Sequence, residues 1–330
     1  MSTSIGPGPS HTSVPVRQGV ATGTVADAAR TPRKRRRSSR PVWDEDPSVV
    51  AQGSKGIVLV LICLAVLVPL YTIVLTSLSS QAAITRAGGL VLIPDELTVD
   101  AYRQVLSGGI VTRAVLVSLG VTSVGTAISV TVSVLAAYGL SRPGSLFHTP
   151  ILFLMLGTMF FGAGMIPMYL LVSALGMIDS YWALILPTAV SAFNIVIMRG
   201  FFQGIDPGII ESARIDGASE WRILFQMVLP MSKAVVAVVA LFYAVGYWNA
   251  FFNAVLYIND AAKQPLQVVL RSFVLQGVSV PGQVDVGSGQ IATLAVQMAV
   301  MVIALVPVVI VYPFIQRHFK TGVMIGAVKG

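Results

Sequence analysis

Beyond a basic N-terminal run, one markedly polar stretch lies from Asp206 to Pro230. It holds Asp206, Glu211, Arg214, Asp216, Glu220 and Arg222, with apolar runs on either side. A stretch this polar cannot span a bilayer. A second cluster mixes aromatic rings with amides: Tyr243, Tyr247, Trp248, Asn249, Phe252 and Asn253. Rings and amides together bind polar ring compounds such as sugars. The same residue types also pack one membrane helix on another, with the amides as interhelical hydrogen bonds. Packing is the reading that the types alone favour. Met165, Met168 and Tyr169 form a weaker version of the same cluster.

Other chemistry is missing. His11, His148 and His318 lie far apart, and Cys63 is the one cysteine, so neither a metal site nor an internal disulfide is expected. No G-x-x-x-x-G-K-[ST] loop is present to cradle nucleotide phosphates. The long apolar runs carry no Asp, Glu, Lys or Arg near their middles, which argues against a proton relay. Sodium coupling through carbonyls and hydroxyls stays open. No covalent chemistry is expected. If ATP drives any process here, another polypeptide must hydrolyse it, and that motor needs a docking surface.

The elements around these clusters follow from composition. The chain has 330 residues, 55% hydrophobic and 11% charged, with a mean hydropathy of +0.80. A soluble surface needs more polar residues than that; average usage is about 25% charged. Six apolar runs are each close to the roughly 20 residues that cross a bilayer. They lie at Gly56 to Leu78, Ala114 to Tyr138, Ile151 to Leu175, Tyr181 to Ile197, Val235 to Tyr257 and Ile291 to Ile315. All are read as helices, because lipid forces the backbone to satisfy its own hydrogen bonds. Gly162, Gly164 and Pro167 predict a bend in the third.

Residues 1–50 are rich in Ser, Thr, Pro, Gly and Arg and are read as a disordered tail. The tail accounts for much of the net charge of +8 through Arg33-Lys34-Arg35-Arg36-Arg37. Nucleic-acid binding is one reading of that run. An anchor that keeps this end in the cytoplasm is the stronger one. With that end inside, the inner loops and C-terminal tail (316–330) hold Arg142, Arg199, Arg214, Arg222, Lys233, Arg317, Lys320 and Lys329. Arg86, Arg103, Arg113, Lys263 and Arg271 fall outside. The bias places both termini in the cytoplasm and residues 51–330 in a six-helix, all-α membrane domain. The outer loops, about 79–113 and 258–290 and including Pro281-Gly282, are expected to hold short interfacial helices.

The polar loop at 204–230 has its own structure. Asp206 is placed to cap a helix whose first residue is Pro207, where a missing N–H costs nothing. That helix runs past Glu211 and Arg214 and stops at Gly217. Ser219 caps a second helix, with Glu220 near its positive end, closing at Pro230. Two short helices meeting at a glycine form a compact knob. Asp216-Gly217 alone would be an ordinary turn.

The spacing of Glu211-Ser212-Ala213, Asp216-Gly217-Ala218 and Met227-Val228-Leu229-Pro230 resembles the "EAA" loop of binding-protein-dependent ABC importer permeases. Ser212 and Met227 replace the usual alanine and isoleucine. Ala234 replaces a frequent proline, which predicts a straighter approach to the fifth span. The resemblance implies the six-helix MetI-like permease fold, with Glu211 to Gly217 as the helix that couples to the ATPase. Leu241 to Asn249, Pro265-Leu266-Gln267 and Tyr312 to Gly330 are similar to the MalG-like carbohydrate-uptake branch, notably its oligosaccharide and uronate group. That branch implies alternating access, a second related permease, two ATP-binding subunits, an extracytoplasmic sugar-binding protein and no cofactor in this chain. The apolar C-terminal run would pack on the ATPase subunits. Tyr243, Tyr247, Trp248, Asn249 and Asn253 become candidates to line the sugar's path. Another solute, such as a glycerophosphodiester or peptide, an ion-coupled carrier, and a non-transporting scaffold remain alternatives.

Overall fold

A computed structural model describes residues 49–142, 144, 147–276 and 293–327. The N-terminal tail as far as residue 48, and Pro281-Gly282, lie outside the described residues. The chain divides into two compact units, Met1–Ile57 and Val58–Gly330, and the helices from Val58 onward build the second.

The described residues form helices, with one isolated bridge between Ser79 and Leu97. Three helices are long and apolar enough to cross a membrane: α1 (Val49–Ser77), α4 (Ile110–Ser141) and α15 (Leu294–Ala327). Between the first two lie the short helices α2 (Gln81–Arg86) and α3 (Asp100–Ser107). Three bent helix pairs pass the same test of length and apolarity when each is counted as one, so the described residues hold up to six candidate spans.

The third run breaks where its glycines predict. α5 (His148–Phe160) and α6 (Met165–Ala174) meet at 116° across Phe161 to Gly164. Gly164 has φ +81°, which a side chain would resist. Pro167 lies in the first turn of α6, where no N–H is needed.

The fourth and fifth runs differ from the uninterrupted helices expected of them. α7 (Trp182–Ile185) passes through a 3₁₀ turn at Leu186–Thr188, then bends by 51° into α8 (Ala192–Gln203). Pro187 withdraws one N–H, and Ser191 restarts the helix by accepting from the N–H of Asn194 at 3.4 Å. α12 (Lys233–Trp248) ends at Asn249, and α13 (Phe251–Tyr257) follows. Ala250 (φ −70°, ψ 62°) forms an inverse γ-turn, with the Phe251 N–H on the Asn249 carbonyl at 2.7 Å. Trp248 and Phe252, like Asn249 and Asn253, are four residues apart but do not share a helix face, because no single helix carries both members. α14 (Leu266–Gln276) follows a 3₁₀ turn at Ala261–Lys263. In the last element, residues 316–327 continue α15.

The main core lies where α4 meets α8 and α12. Tyr243 and Tyr247 are buried there, one helical turn apart. The Tyr247 hydroxyl donates to the Ile185 carbonyl at 3.1 Å, so Ser129, 2.7 Å away, must donate to it. Tyr243 shares a 2.7 Å bond with Ser133 and accepts from the Ser191 N–H at 3.0 Å. A second core joins α3, α14 and α15 around Trp248, whose Nε1 donates to the Ala304 carbonyl at 3.2 Å.

Gly125 sets the approach of α4 to α12. A Cβ built there would lie 2.8 Å from the Tyr247 ring, whereas one on Gly120 meets nothing within 4 Å. Gly125→Ala is expected to destabilise the protein by about 1–3 kcal/mol. Gly120→Ala should be neutral or slightly stabilising. Thermal unfolding of the two variants in detergent reads the difference.

Candidate functional site

The loop at 204–230 folds as a two-helix knob. Its first helix, α9, runs Pro207–Ile215. Asp206 Oδ1 accepts from the Gly208 N–H at 2.9 Å, and Pro207 occupies the first turn. At the other end the Ala218 N–H reaches the Ala213 carbonyl at 2.9 Å and the Gly217 N–H reaches that of Arg214 at 3.0 Å. This is a Schellman stop, and Gly217 carries its left-handed residue at φ +78°.

The second helix starts at Ser219, whose Oγ accepts from the Arg222 N–H at 3.4 Å. It comprises α10 (Glu220–Ile223), a π segment at Leu224–Val228 and α11 (Leu229–Met231). The wider π turn makes room for Pro230, which lacks an N–H and crowds the preceding turn. Ser232 (φ −105°, ψ 16°) then turns the chain by 85° into α12. The straighter approach expected from Ala234 is overturned, because the bend is made at Ser232, before residue 234 is reached.

The motif residues divide by environment. Ala213 is buried and Ala218 half-buried, so these small side chains seat the knob on the main core with Ile223, Leu224 and Val228. Leu229 is half-buried and Pro230 exposed. Glu211, Ser212 and Asp216 face outward. Beside them lies an apolar face: Ile215 is 86% exposed, and Trp221 and Phe225 stack at 6.0 Å with 63% and 56% exposure. An exposed apolar patch of this kind marks a surface that meets another protein or the membrane.

Sequence reasoning placed Glu220 only as a charge near a helix start. Its carboxylate in fact bridges two bodies. Oε1 accepts from Arg214 Nη2 at 2.8 Å and Nε at 3.1 Å, within the knob. Oε2 accepts from the Tyr138 hydroxyl at 2.6 Å and pairs with Arg142 Nη2 at 3.2 Å, both at the end of α4. Arg142 also bonds the Tyr138 hydroxyl and lies over its ring, 4.4 Å from the centroid. The Tyr138 hydrogen bond, with the Arg214 bonds and the two guanidinium charges, holds the Glu220 carboxyl below its usual range against partial desolvation. A cavity of about 260 Å³ beneath the knob is lined by Tyr138, Arg142, Gln203, Ile210, Glu211 and Arg214. The one available signal was the pair Tyr138 and Arg142, one turn apart at a span's end.

The ring-and-amide cluster is divided. Tyr243, Tyr247 and Trp248 face inward, with their polar atoms bonded to neighbouring helices. Asn249 is exposed and Asn253 half-buried, on either side of the γ-turn. A further group went unnoticed in the sequence. Asp179, at φ 59°, accepts from the N–H groups of Asn259 at 2.5 Å and Asp260 at 2.8 Å, and its carbonyl accepts from Lys263 Nζ at 3.0 Å. The Asp260 and Asn259 N–H bonds lower the Asp179 carboxyl's pKa. The clasp ties the α6–α7 loop to the loop after α13.

Residues 129–324 match the family described as "Binding-protein-dependent transport system inner membrane component". The chain belongs to that family. It is a membrane-embedded permease component and not an enzyme. Among its relatives is the polygalacturonan/rhamnogalacturonan transport system permease protein YtcP of Bacillus subtilis (strain 168). The two are 48% identical over 242 residues, covering 73% of this chain and 85% of YtcP. Protein LplC of the same organism is 41% identical over 265 residues, covering 80% and 90%. A chain from the crystal structure of a bacterial ABC transporter involved in the import of the acidic polysaccharide alginate superposes with a TM-score of 0.76. It is 31% identical, covering 82% of this chain and 96% of that one.

Two outcomes test the permease's knob. Gly217→Val forces a branched side chain into a left-handed turn and should cost about 1–2 kcal/mol locally, seen as faster proteolysis at the knob. Because the Glu220 carboxyl is lowered, its contribution is present above the ordinary Glu value of about 4.3 and is lost as pH falls through its folded value. Stability followed from pH 7 to pH 3 should therefore show a larger loss in the acid range than Glu220→Gln shows.

Proposed function

We propose that the chain is the membrane-spanning permease subunit of a bacterial ATP-driven importer of carbohydrate, and that its cargo is an oligosaccharide containing uronic acid. The knob is the observation that carries this reading. It is capped at both ends, seated on the core and exposes Ile215, Trp221 and Phe225 beside Glu211. A motor subunit needs such a handle, since this chain has no phosphate-cradling loop of its own. The motif residues Glu211, Ser212, Ala213, Asp216, Gly217, Ala218, Leu229 and Pro230 form that handle, and ATP binds to the partner.

The assembly contains a second related permease, two ATP-binding subunits and an extracytoplasmic sugar-binding protein. Both termini and the knob face the cytoplasm, in line with the excess of Lys and Arg on that side. The cargo assignment is supported by the likeness to YtcP, named for polygalacturonan and rhamnogalacturonan, and to the importer of the acidic polysaccharide alginate. Asn249 and Asn253, where the fifth span unwinds, line the sugar's path, because irregular backbone at membrane depth is tolerated beside protein or water. Tyr243, Tyr247 and Trp248 support that wall from behind.

The test is uptake of oligogalacturonate into proteoliposomes carrying the two permeases and the ATP-binding subunits, with the binding protein added outside. Uptake should require internal ATP and stop with Gly217→Trp. Uptake without the ATP-binding subunits would instead identify an ion-coupled carrier. Wild-type uptake by Gly217→Trp would remove the knob from the mechanism.

A further inference from the structure

Both covalent routes from the knob into the membrane are bent. On one side Gly204 and Ile205 separate α8 from Asp206. On the other, Ser232 turns the chain by 85° before α12. A push on the knob would partly dissipate at such corners. The direct tie runs elsewhere, to a helix 82 residues away in sequence.

We propose that Glu220 is a positioning residue that locks the knob to α4, so that α4 takes up the knob's movement along with the two helices joined to it by the chain. The inference rests on the reading above only in requiring an ATPase partner. One carboxylate oxygen is held by the Arg214 fork of α9, and the other by Tyr138 and Arg142 of α4. The two arms differ in exposure. Arg214 is 50% exposed, whereas Arg142 is 14% exposed. Water and salt screen the first pair more than the second, so the arm reaching α4 is the stronger. Arg199 of α8 grips the same helix end, its Nε donating to the Leu140 carbonyl at 2.9 Å.

From that end α4 reaches the rest of the bundle. It has 32 residues, about 48 Å at 1.5 Å per residue, and so outreaches a hydrocarbon core of about 30 Å. Along it, Ser133 and Ser129 bond Tyr243 and Tyr247 of α12. Near its other end Ser118 accepts from the N–H of Leu266, which opens α14. Displacement entering at Glu220 therefore meets hydrogen-bonded neighbours along the whole helix.

The test uses Glu220→Gln, which keeps the shape and removes the charge, and Tyr138→Phe, which removes one hydroxyl. Each is assembled into the complete importer in proteoliposomes, with oligogalacturonate as cargo. Both should assemble normally and hydrolyse ATP within about twofold of wild type. ATP consumed per sugar imported should rise by about tenfold, the factor that one charged hydrogen bond carries. Unchanged ATP cost per sugar in both variants overturns the proposal. So does failure of both to assemble, which would make the contact purely structural. If the wild-type importer does not move oligogalacturonate, the cargo assignment fails and the lock is read without cargo. Spin labels at Gln226 and Leu135, with Cys63 replaced by serine, should give a narrow distance distribution in the wild-type complex with ATP and a broad one in Glu220→Gln. Equal widths overturn the proposal.

Discussion

The Tyr247 ring rests against the bare Cα of Gly125, and this contact fixes the distance between α4 and α12. Lipid tails are as apolar as leucine, so burial alone does not hold membrane helices together. Close approach and interhelical hydrogen bonds must do it. At this spacing the Tyr247 hydroxyl reaches both Ser129 on α4 and the Ile185 carbonyl in the fourth span. Tyr243 repeats the arrangement one turn away with Ser133 and Ser191. Three spans are thereby pinned with two phenols. Trp248, the next buried ring on the same helix, carries the connection to α15. A side chain on residue 125 would lift the ring and loosen several partners together.

The knob is held by a different balance of forces. Its helix ends are satisfied locally by Asp206, Ser219 and the Gly217 turn, so its shape needs little from the rest of the protein. Its seat is apolar, through Ala213, Ile223, Leu224 and Val228. Small residues at 213 and 218 allow the two short helices to lie close to the core. This separation of local shape from global seating leaves the outward face, Ile215 with Trp221 and Phe225, exposed.

The sequence reveals most where a single local rule decides. Length and polarity mark the spans, because lipid leaves the backbone few options. Caps at Asp206 and Ser219 and the stop at Gly217 mark the knob within one residue. The bend at Gly162 to Gly164 is written in glycine. The break at Asn249 to Ala250 is not, since Asn-Ala is no recognised punctuation and the flanking residues are apolar; at Ala189 to Ser191, Pro187 and Ser191 are local signals but do not set the 51° bend. Tertiary partners decide there. Tyr243 takes the freed Ser191 N–H. Glu220 was hidden for the same reason: its partners on α4 are distant in the chain, and its position beside a helix start already accounted for its charge. The aromatic cluster was ambiguous in type, and the structure assigns its phenols to packing contacts while leaving Asn249 exposed.

Asp179 shows how the setting of a hydrogen bond decides its kinetics. Its bonds to Asn259, Asp260 and Lys263 lie at or near the surface. A bond broken in water is replaced at once by a bond to water, so the net cost of parting is small. The same set within a dry span would lose several times that, with nothing to replace it. The clasp therefore behaves as a catch that holds register at rest and yields to modest force.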